Sequence, residues 1–451
     1  MCHRLCKCVL GNKPVEKVGP SAGKNGFVSD TEGTPVIKKS KIFYGYWILV
    51  VSFLCLGTFS GSGVGSFSLF VNSLQSEFGW GRGEIMLAFT IFFLLTGVAA
   101  PLVGSIVDRY GVKGVISAGA LVTGFGFVSL YMLQSLWHLY VAYFFIGAGM
   151  SAFGHVPSSA IVSNWFVKKR GTAIGIMSTG IGMGIFAVAP LVGSFLIPAF
   201  GWRMAYLALG IMAWGLIPLA IFVVRTKPAD MGFYPDGITS PEEVAEIGAS
   251  SQTTKGLGLR AALGTMAFWL VSVTFFISAF SSLGFNQSLV PYLQDAGFSV
   301  ALAASALTIT GLGSAIGKFF FGWLCDKIKA KQACALSIVL LSAAAIILMF
   351  IRSTSPLAII WLAAFILGLG AGGWLPTMSM LVSRNFGLAS YGAIIGMVSL
   401  LQAIGGAAGP LLGGYMFDTT NTYYWTFIIF LCLYAVAIPA VLAVRRPKSF
   451  V

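Results

Sequence analysis

Long apolar stretches recur along the chain, and short polar segments separate them. A membrane-spanning helix needs about 20 predominantly apolar residues, and most of these stretches reach that length. The pattern therefore predicts twelve spanning helices, with one long polar segment dividing them six and six. We predict spans at residues 44–74, 84–107, 113–134, 137–163, 171–199, 203–224, 265–293, 300–324, 332–351, 355–382, 390–416 and 422–444.

The same division predicts five segments of different character. Two six-helix bundles, 44–224 and 263–445, are joined by a polar linker over 225–262. A polar and basic tail, 1–43, which we expect to be disordered, precedes them, and a short C-terminal segment, 446–451, follows. Composition supports this all-α membrane fold, because 57% of residues are hydrophobic and only 9% are charged. Soluble domains carry about 25% charged residues.

The positive charge of the chain follows the predicted topology. The predicted spans place the tail, the linker, the C-terminus and every second loop on one side of the membrane. Of the 28 lysines and arginines, 24 fall on that side. Basic residues mark the cytoplasmic side of membrane proteins, so we expect both termini in the cytoplasm of a plasma (or bacterial inner) membrane. The net charge of +14 is then a topology signal rather than a nucleic-acid footprint. The tail cysteines Cys2, Cys6 and Cys8 form a tight cluster for which lipidation and metal binding are the alternatives to the disordered tail that we favour.

The two halves of the chain repeat one another. Residues 104–113 read GSIVDRYGVK and residues 322–331 read GWLCDKIKAK, an offset of 218. Further matches follow in the same order at offsets of 219 and 221. They are Gly149/Gly368, Gly154/Gly373, Pro157/Pro376, Asn164/Asn385, Gly171/Gly392, Gly175/Gly396 and Ser178/Ser399. Two parallel six-helix halves, related by an axis along the membrane normal, are the predicted architecture.

With these motifs the chain resembles the major facilitator superfamily over residues 44–445. The loop Gly-x-x-x-Asp-Arg-Tyr-Gly is that family's commonest signature. In the family, the aspartate of this loop holds the two halves together on the cytoplasmic side. The resemblance implies a conformational gate made of Asp108, Arg109, Asp326 and Lys327, and helix capping is the alternative role for these residues.

Lys318 stands alone among uncharged residues within the predicted span 300–324. An ionised side chain at the bilayer centre costs at least about 2.5–3.5 kcal/mol, so it normally faces water or a partner. The acids of this chain lie in loops, in the tail or at the ends of spans, and none shares the depth of Lys318. We therefore favour a binding site for an anionic substrate over a lysine that snorkels to the interface.

Within the superfamily the chain resembles the monocarboxylate and oxalate/formate transporter group. The residues that carry this likeness are YGYW (44–47), NWFVKKRGTAIGIMSTG (164–180), MGFYPDG (231–237) and VPYLQDAGFSVALAAS (290–305). Monocarboxylate transporters place a carboxylate-binding arginine four residues before a glycine in helix eight, where this chain has Lys318 before Gly322. Ser314 stands where mammalian members have an aspartate, and Gly65 is the nearest match to their helix-one lysine. These departures weaken the case for proton symport by the family's route.

Other polar side chains within the spans are candidate substrate contacts. His155 suits hydrogen bonding or proton movement, although a structural role is the alternative. Trp374 is its counterpart in the second half and is a candidate for the opposite wall. The remaining candidates are polar residues on spans one, seven and eleven: Asn286, Gln287, Gln402, Ser66 and Tyr292.

The sequence contains no Gly-x-x-x-x-Gly-Lys-(Ser/Thr) loop and no acid–base constellation in the membrane, so we expect neither an enzyme nor a cofactor. We predict a secondary transporter for a small organic anion, a monocarboxylate by resemblance, functioning as a monomer. Proton symport, uniport and anion exchange stay open. The alternative is an exporter of a neutral or amphipathic compound with Lys318 structural, and a receptor on the same scaffold is the remaining class.

Overall fold

The computed structural model describes residues 43–166, 170–226, 228–231, 257–387 and 390–446, and it is built of helices. The predicted tail and most of the linker, including Cys2, Cys6 and Cys8, lie outside the described residues. The twelve membrane-spanning helices of the described ranges are numbered here as spans 1 to 12. Their bounds are Gly45–Phe78, Arg82–Tyr110, Val112–Met132, Leu136–Trp165, 170–200, 202–222, Met266–Asp295, Val300–Lys327, Ala330–Met349, Leu357–Phe386, Tyr391–Thr420 and Tyr424–Leu442.

Spans 5 and 6 follow one another without a loop. Within the described residues, eleven helical stretches are long and apolar enough to cross a membrane, and one of them, Thr172–Phe222, has 51 residues. That length is twice what one crossing needs. The backbone reverses inside it at Gly201, whose φ of 81° and ψ of 167° are not helical. The stretch therefore provides two spans, which confirms the predicted twelve-helix fold.

Left-handed residues terminate corresponding spans in the two halves. Gly79 ends span 1 with a φ of 69°, and Gly297 follows span 7 with a φ of 93°, at the repeat offset of 218. Likewise Gly201 lies between spans 5 and 6, and Asn421, with a φ of 56°, lies between spans 11 and 12. Glycine and asparagine tolerate this conformation best. The reversals of the chain thus recur in register, as two pseudo-symmetric six-helix bundles require.

The two bundles pack against one another along two pairs of spans. Spans 5 and 8 approach so closely that a Cβ atom built on Gly182 would lie 2.6 Å from the carbonyl oxygen of Gly311. Spans 2 and 11 are joined by a hydrogen bond of 2.8 Å from the Thr90 hydroxyl to the Ala407 carbonyl. Small residues allow such close helix contacts in membranes, where packing rather than the hydrophobic effect drives association.

Several spans contain irregular segments, and those of spans 1, 4 and 10 lie near the middle of the span. Spans 1 and 5 contain π-helical segments, Phe59–Gly65 and Leu191–Leu196. Span 4 is interrupted at 152–154 and span 10 at Gly373, so each continues as a second helical segment. Such interruptions are tolerated at membrane depth where the backbone is buried in protein or lines a cavity. They therefore indicate where a site is built between the bundles.

Candidate functional site

The ammonium group of Lys318 lies inside the protein with a neutral partner. Its Nζ donates a hydrogen bond of 2.9 Å to Oγ of Ser314, one helical turn earlier on span 8. The side chain is half-buried. In the ranges that the structure describes, no carboxylate forms a salt bridge with it. The serine that replaces the family's aspartate is thus the residue that holds Lys318.

His155 is the first residue of the second helical segment of span 4, directly after the interruption at 152–154. It lies ten residues, or about 15 Å, before the end of that span at Trp165. Lys318 lies nine residues, or about 14 Å, before the end of span 8 at Lys327. Both spans run in the same direction, so the imidazole and the ammonium lie at the same depth in the two halves.

His155 belongs to the first half and Lys318 to the second. His155 is exposed and Lys318 is partly exposed. The structure therefore places two of the predicted site residues at the same depth, one in each half.

Trp374 begins the second helical segment of span 10, in the position that corresponds to His155. Its ring is half-buried, and its Nε1 is a buried donor without a hydrogen-bond partner among the described residues. Asn286 on span 7 is also half-buried, and its Oδ1 is a buried acceptor without a described partner. Buried polar groups are normally hydrogen-bonded, so these two groups are suited to a ligand or to water.

Other candidates are engaged in contacts within the protein. Gln287 is fully buried and donates from Nε2 to the Val64 carbonyl of span 1 at 2.7 Å. Ser66 is fully buried and donates to the Gly61 carbonyl of its own helix at 2.6 Å. Substrate contact by either stays a prediction, and neither is exposed to a cavity in this conformation.

The last two candidates lie at different depths. The hydroxyl of Tyr292 donates to the carbonyl of Leu348 at 2.6 Å, near the end of span 9. This bond ties spans 7 and 9 together within the second half. Gln402 is half-buried on span 11. A role in substrate binding stays a prediction for both residues.

The predicted gate at the repeated loops is only partly described. Asp108 and Arg109 belong to the helix of span 2, and their side chains lie outside the described part of the structure. Asp326 and Lys327 are the last two residues of span 8, and Asp326 is exposed. Arg384 of span 10 donates to the Cys325 carbonyl at 2.9 Å beside them. That contact lies within the second half, so the gate role stays a prediction.

One ionic cluster was not predicted from the sequence. Arg82 at the start of span 2 pairs with Asp295 at the end of span 7, and Asp418 of span 11 lies beside them. One feature of the sequence distinguishes Arg82: it is one of the few basic residues that lie outside the basic loops. Asp295 and Asp418 are likewise the acids nearest to spans. Distances of 213 and 336 residues along the chain conceal these pairings from a reading of the sequence.

The architecture defines a class of membrane protein with two six-helix halves. The family model described as Major Facilitator Superfamily matches residues 49–410. The chain belongs to the Major Facilitator Superfamily and is a membrane transporter of that family.

Several relatives share most of the chain at low identity. Monocarboxylate transporter 13 of Bos taurus is 23% identical over 384 residues, covering 85% of each chain. Monocarboxylate transporter 12 of Mus musculus is 25% identical, covering 83% of this chain and 80% of its own. The uncharacterized MFS-type transporter YcxA of Bacillus subtilis (strain 168) is 26% identical, covering 84% of this chain and 89% of its own.

Solved structures share the fold at still lower identity. One is a bacterial homologue of the human lysosomal transporter Spinster, in an inward-facing and occupied conformation. It superimposes with a TM-score of 0.72 and 17% identity, covering 91% of this chain and 99% of its own. A point mutant of the nucleoside transporter NupG gives a TM-score of 0.70 with 11% identity, covering 89% and 99%.

Proposed function

We propose that this transporter carries a small organic anion, of the monocarboxylate class, and that Lys318 binds the carboxylate of the cargo. The observation that carries the proposal is a partly exposed ammonium deep within span 8 whose described partner is the neutral Ser314 hydroxyl. A cation in such a place is stabilised by a counter-ion. The cargo supplies it when the protein provides no carboxylate.

The surrounding groups suit the rest of a small anion. His155 lies at the depth of Lys318 in the other half, and its imidazole donates a hydrogen bond to a second oxygen or carries a proton. The indole N–H of Trp374 is an unpaired donor at the corresponding position of the other half. The names of the monocarboxylate transporter relatives support the same cargo class. Proton symport, uniport and anion exchange all remain compatible with this set of groups.

The proposal includes an orientation. The end of the bundle at which span 1 begins and span 12 ends, called here the termini face, is cytoplasmic in the plasma or inner membrane. The other end, called the opposite face, carries the connections at 79–81, 296–299 and 421–423. The distribution of basic residues supports this orientation. Cargo then passes between the two faces as the halves rock around the site.

Uptake into proteoliposomes tests the cargo and the role of Lys318 together. We expect labelled lactate, pyruvate, oxalate or formate to accumulate, with and without a proton gradient. Lys318→Arg should retain uptake and Lys318→Gln should lose it, because a positive charge at this position is what attracts the anion. Lys329→Gln, an exposed charge change outside the spans, is the matched control. Parent-like uptake by Lys318→Gln at equal expression would overturn the anion site and favour a neutral or amphipathic cargo.

A further inference from the structure

A buried arginine joins the two halves at the opposite face. Arg82 of span 2 is 3% exposed, and its guanidinium donates to both carboxylate oxygens of Asp295 on span 7, at 2.5 and 2.6 Å. Its Nη1 also donates to the Tyr423 hydroxyl at 3.1 Å. The guanidinium carbon lies over the Phe417 ring, 3.7 Å from its centroid. Arg82 belongs to the first half, and the other three residues belong to the second.

A second acid reinforces the same junction. The carboxylate of Asp418 on span 11 accepts hydrogen bonds from the backbone N–H groups of Arg82 and Gly83, at 2.8 and 2.7 Å. These groups are the unpaired donors at the start of span 2, where the helix dipole favours a negative charge. Asp418 therefore caps a helix of the other half, and two acids of the second half hold one short segment of the first.

The repeat explains why Asp295 depends on a partner from the other half. At the offset of 218 its counterpart is Glu77, which pairs with Arg203 at 2.6 Å within the first half. The counterpart of Arg203, at an offset of 220, is Tyr423, which carries no charge. The second half thus lacks its own cation for this acid. Arg82 supplies the charge across the junction.

A deeper contact closes the same side. Gln287, eight residues before Asp295 on span 7, donates to the Val64 carbonyl in the π-helical segment of span 1. A π-helical segment disturbs the regular i→i−4 ladder and leaves a carbonyl available to another partner. The ion cluster and this hydrogen bond form two layers between the halves. His155 and Lys318, which lie nearer the termini face, are exposed and partly exposed respectively.

We infer that Arg82, Asp295, Asp418 and Tyr423 form the opposite-face gate of this transporter. They close the central cavity in this conformation and separate when the halves rock to expose the site there. Bidentate arginine–carboxylate pairs have a defined geometry that is either made or broken, which suits a two-state closure. The gate acts in the conformational cycle, whichever cargo is carried.

Hydrogen exchange measured by mass spectrometry on the full chain in lipid nanodiscs tests this gate. In Arg82→Gln and in Asp295→Asn, we expect exchange at the opposite face, in segments 75–90 and 415–423, to rise by about tenfold or more. Each variant breaks the bidentate pair, and Asp295→Asn also leaves the buried Arg82 guanidinium without its counter-ion. Exchange at the termini face, in segments 160–166 and 321–327, should fall. The reciprocal change distinguishes a gate from a merely structural ion pair, because local unfolding does not protect the far side.

The matched control is Arg203→Gln, which breaks an ion pair on the same face but within one half. It should leave the exchange of both faces near that of the parent. The double variant Arg82→Gln/Asp295→Asn removes both charges and should show the same reciprocal shift without an unpaired buried charge. Increased exchange on both faces, unchanged exchange, or the same shift in Arg203→Gln would each overturn the gate.

Discussion

A carboxylate introduced beside Lys318 should compete with the cargo for the ammonium group. Ser314 lies one turn before Lys318, and its Oγ is 2.9 Å from Nζ. Ser314→Asp therefore places an acid within reach of Nζ, in the favourable order of acid before base along the helix. The aspartate then neutralises the Lys318 ammonium, which we propose binds the cargo.

The size of the effect follows from Coulomb's law. Opposite unit charges about 4 Å apart attract by about 4 kcal/mol at an effective dielectric constant of 20. Lys318 is partly exposed to water. Halving the attraction for solvent screening leaves about 2 kcal/mol. That energy corresponds to about a 30-fold weaker affinity for the anion, at 1.4 kcal/mol per factor of ten.

Uptake into proteoliposomes, measured against cargo concentration, should show the half-saturation concentration rising by about 30-fold in Ser314→Asp. Ser314→Asn has the same shape without the charge, and we expect its half-saturation concentration to change by less than about threefold. Equal values for the Asp and Asn variants would refute an anion site at Lys318.

Three further predictions concern packing and the cavity wall. Gly182→Ala adds a methyl group against the Gly311 carbonyl and should lower the free energy of unfolding by about 1–3 kcal/mol. The control Gly175→Ala places its methyl group in open space and should not lower it, and thermal unfolding in detergent measures both. Trp374→Phe removes one hydrogen-bond donor and should raise the half-saturation concentration by about threefold to tenfold with little change in melting temperature. His155→Gln should keep cargo binding but abolish any stimulation of uptake by external acid, measured as uptake across a pH gradient. Retained acid stimulation would exclude His155 as the proton carrier.

The fold was predictable because its signals are local. Apolar runs of bilayer length, basic loops and a repeat at a near-constant offset each depend on short stretches of sequence. The break between spans 5 and 6 was predictable in the same way, since Gly201 lies between two apolar runs. Lys318 was also recognisable, because a lone cation within an apolar run needs no knowledge of its neighbours.

Partners across the two halves were not predictable. Gln287 has a polar side chain of the kind that lines cavities, yet it lies fully buried against Val64, 223 residues earlier in the chain. The amide nitrogen of Gln287 finds its acceptor on a helix of the other half, and the sequence does not specify that neighbour. Arg82 was overlooked for the same reason, since its acids come from two distant spans.

The features for which we propose functions share one property: they depart from the twofold repeat. Lys318 has no charged counterpart in the first half, where the corresponding residue is Ala100. Asp295 retains its acid counterpart, Glu77, but not the arginine that neutralises it there. In a symmetric scaffold, each half supplies the contacts that its own structure needs. A charge that lacks a partner in its own half must therefore be stabilised from outside that half, either by the other half, as Asp295 is by Arg82, or by a ligand, as we propose for Lys318.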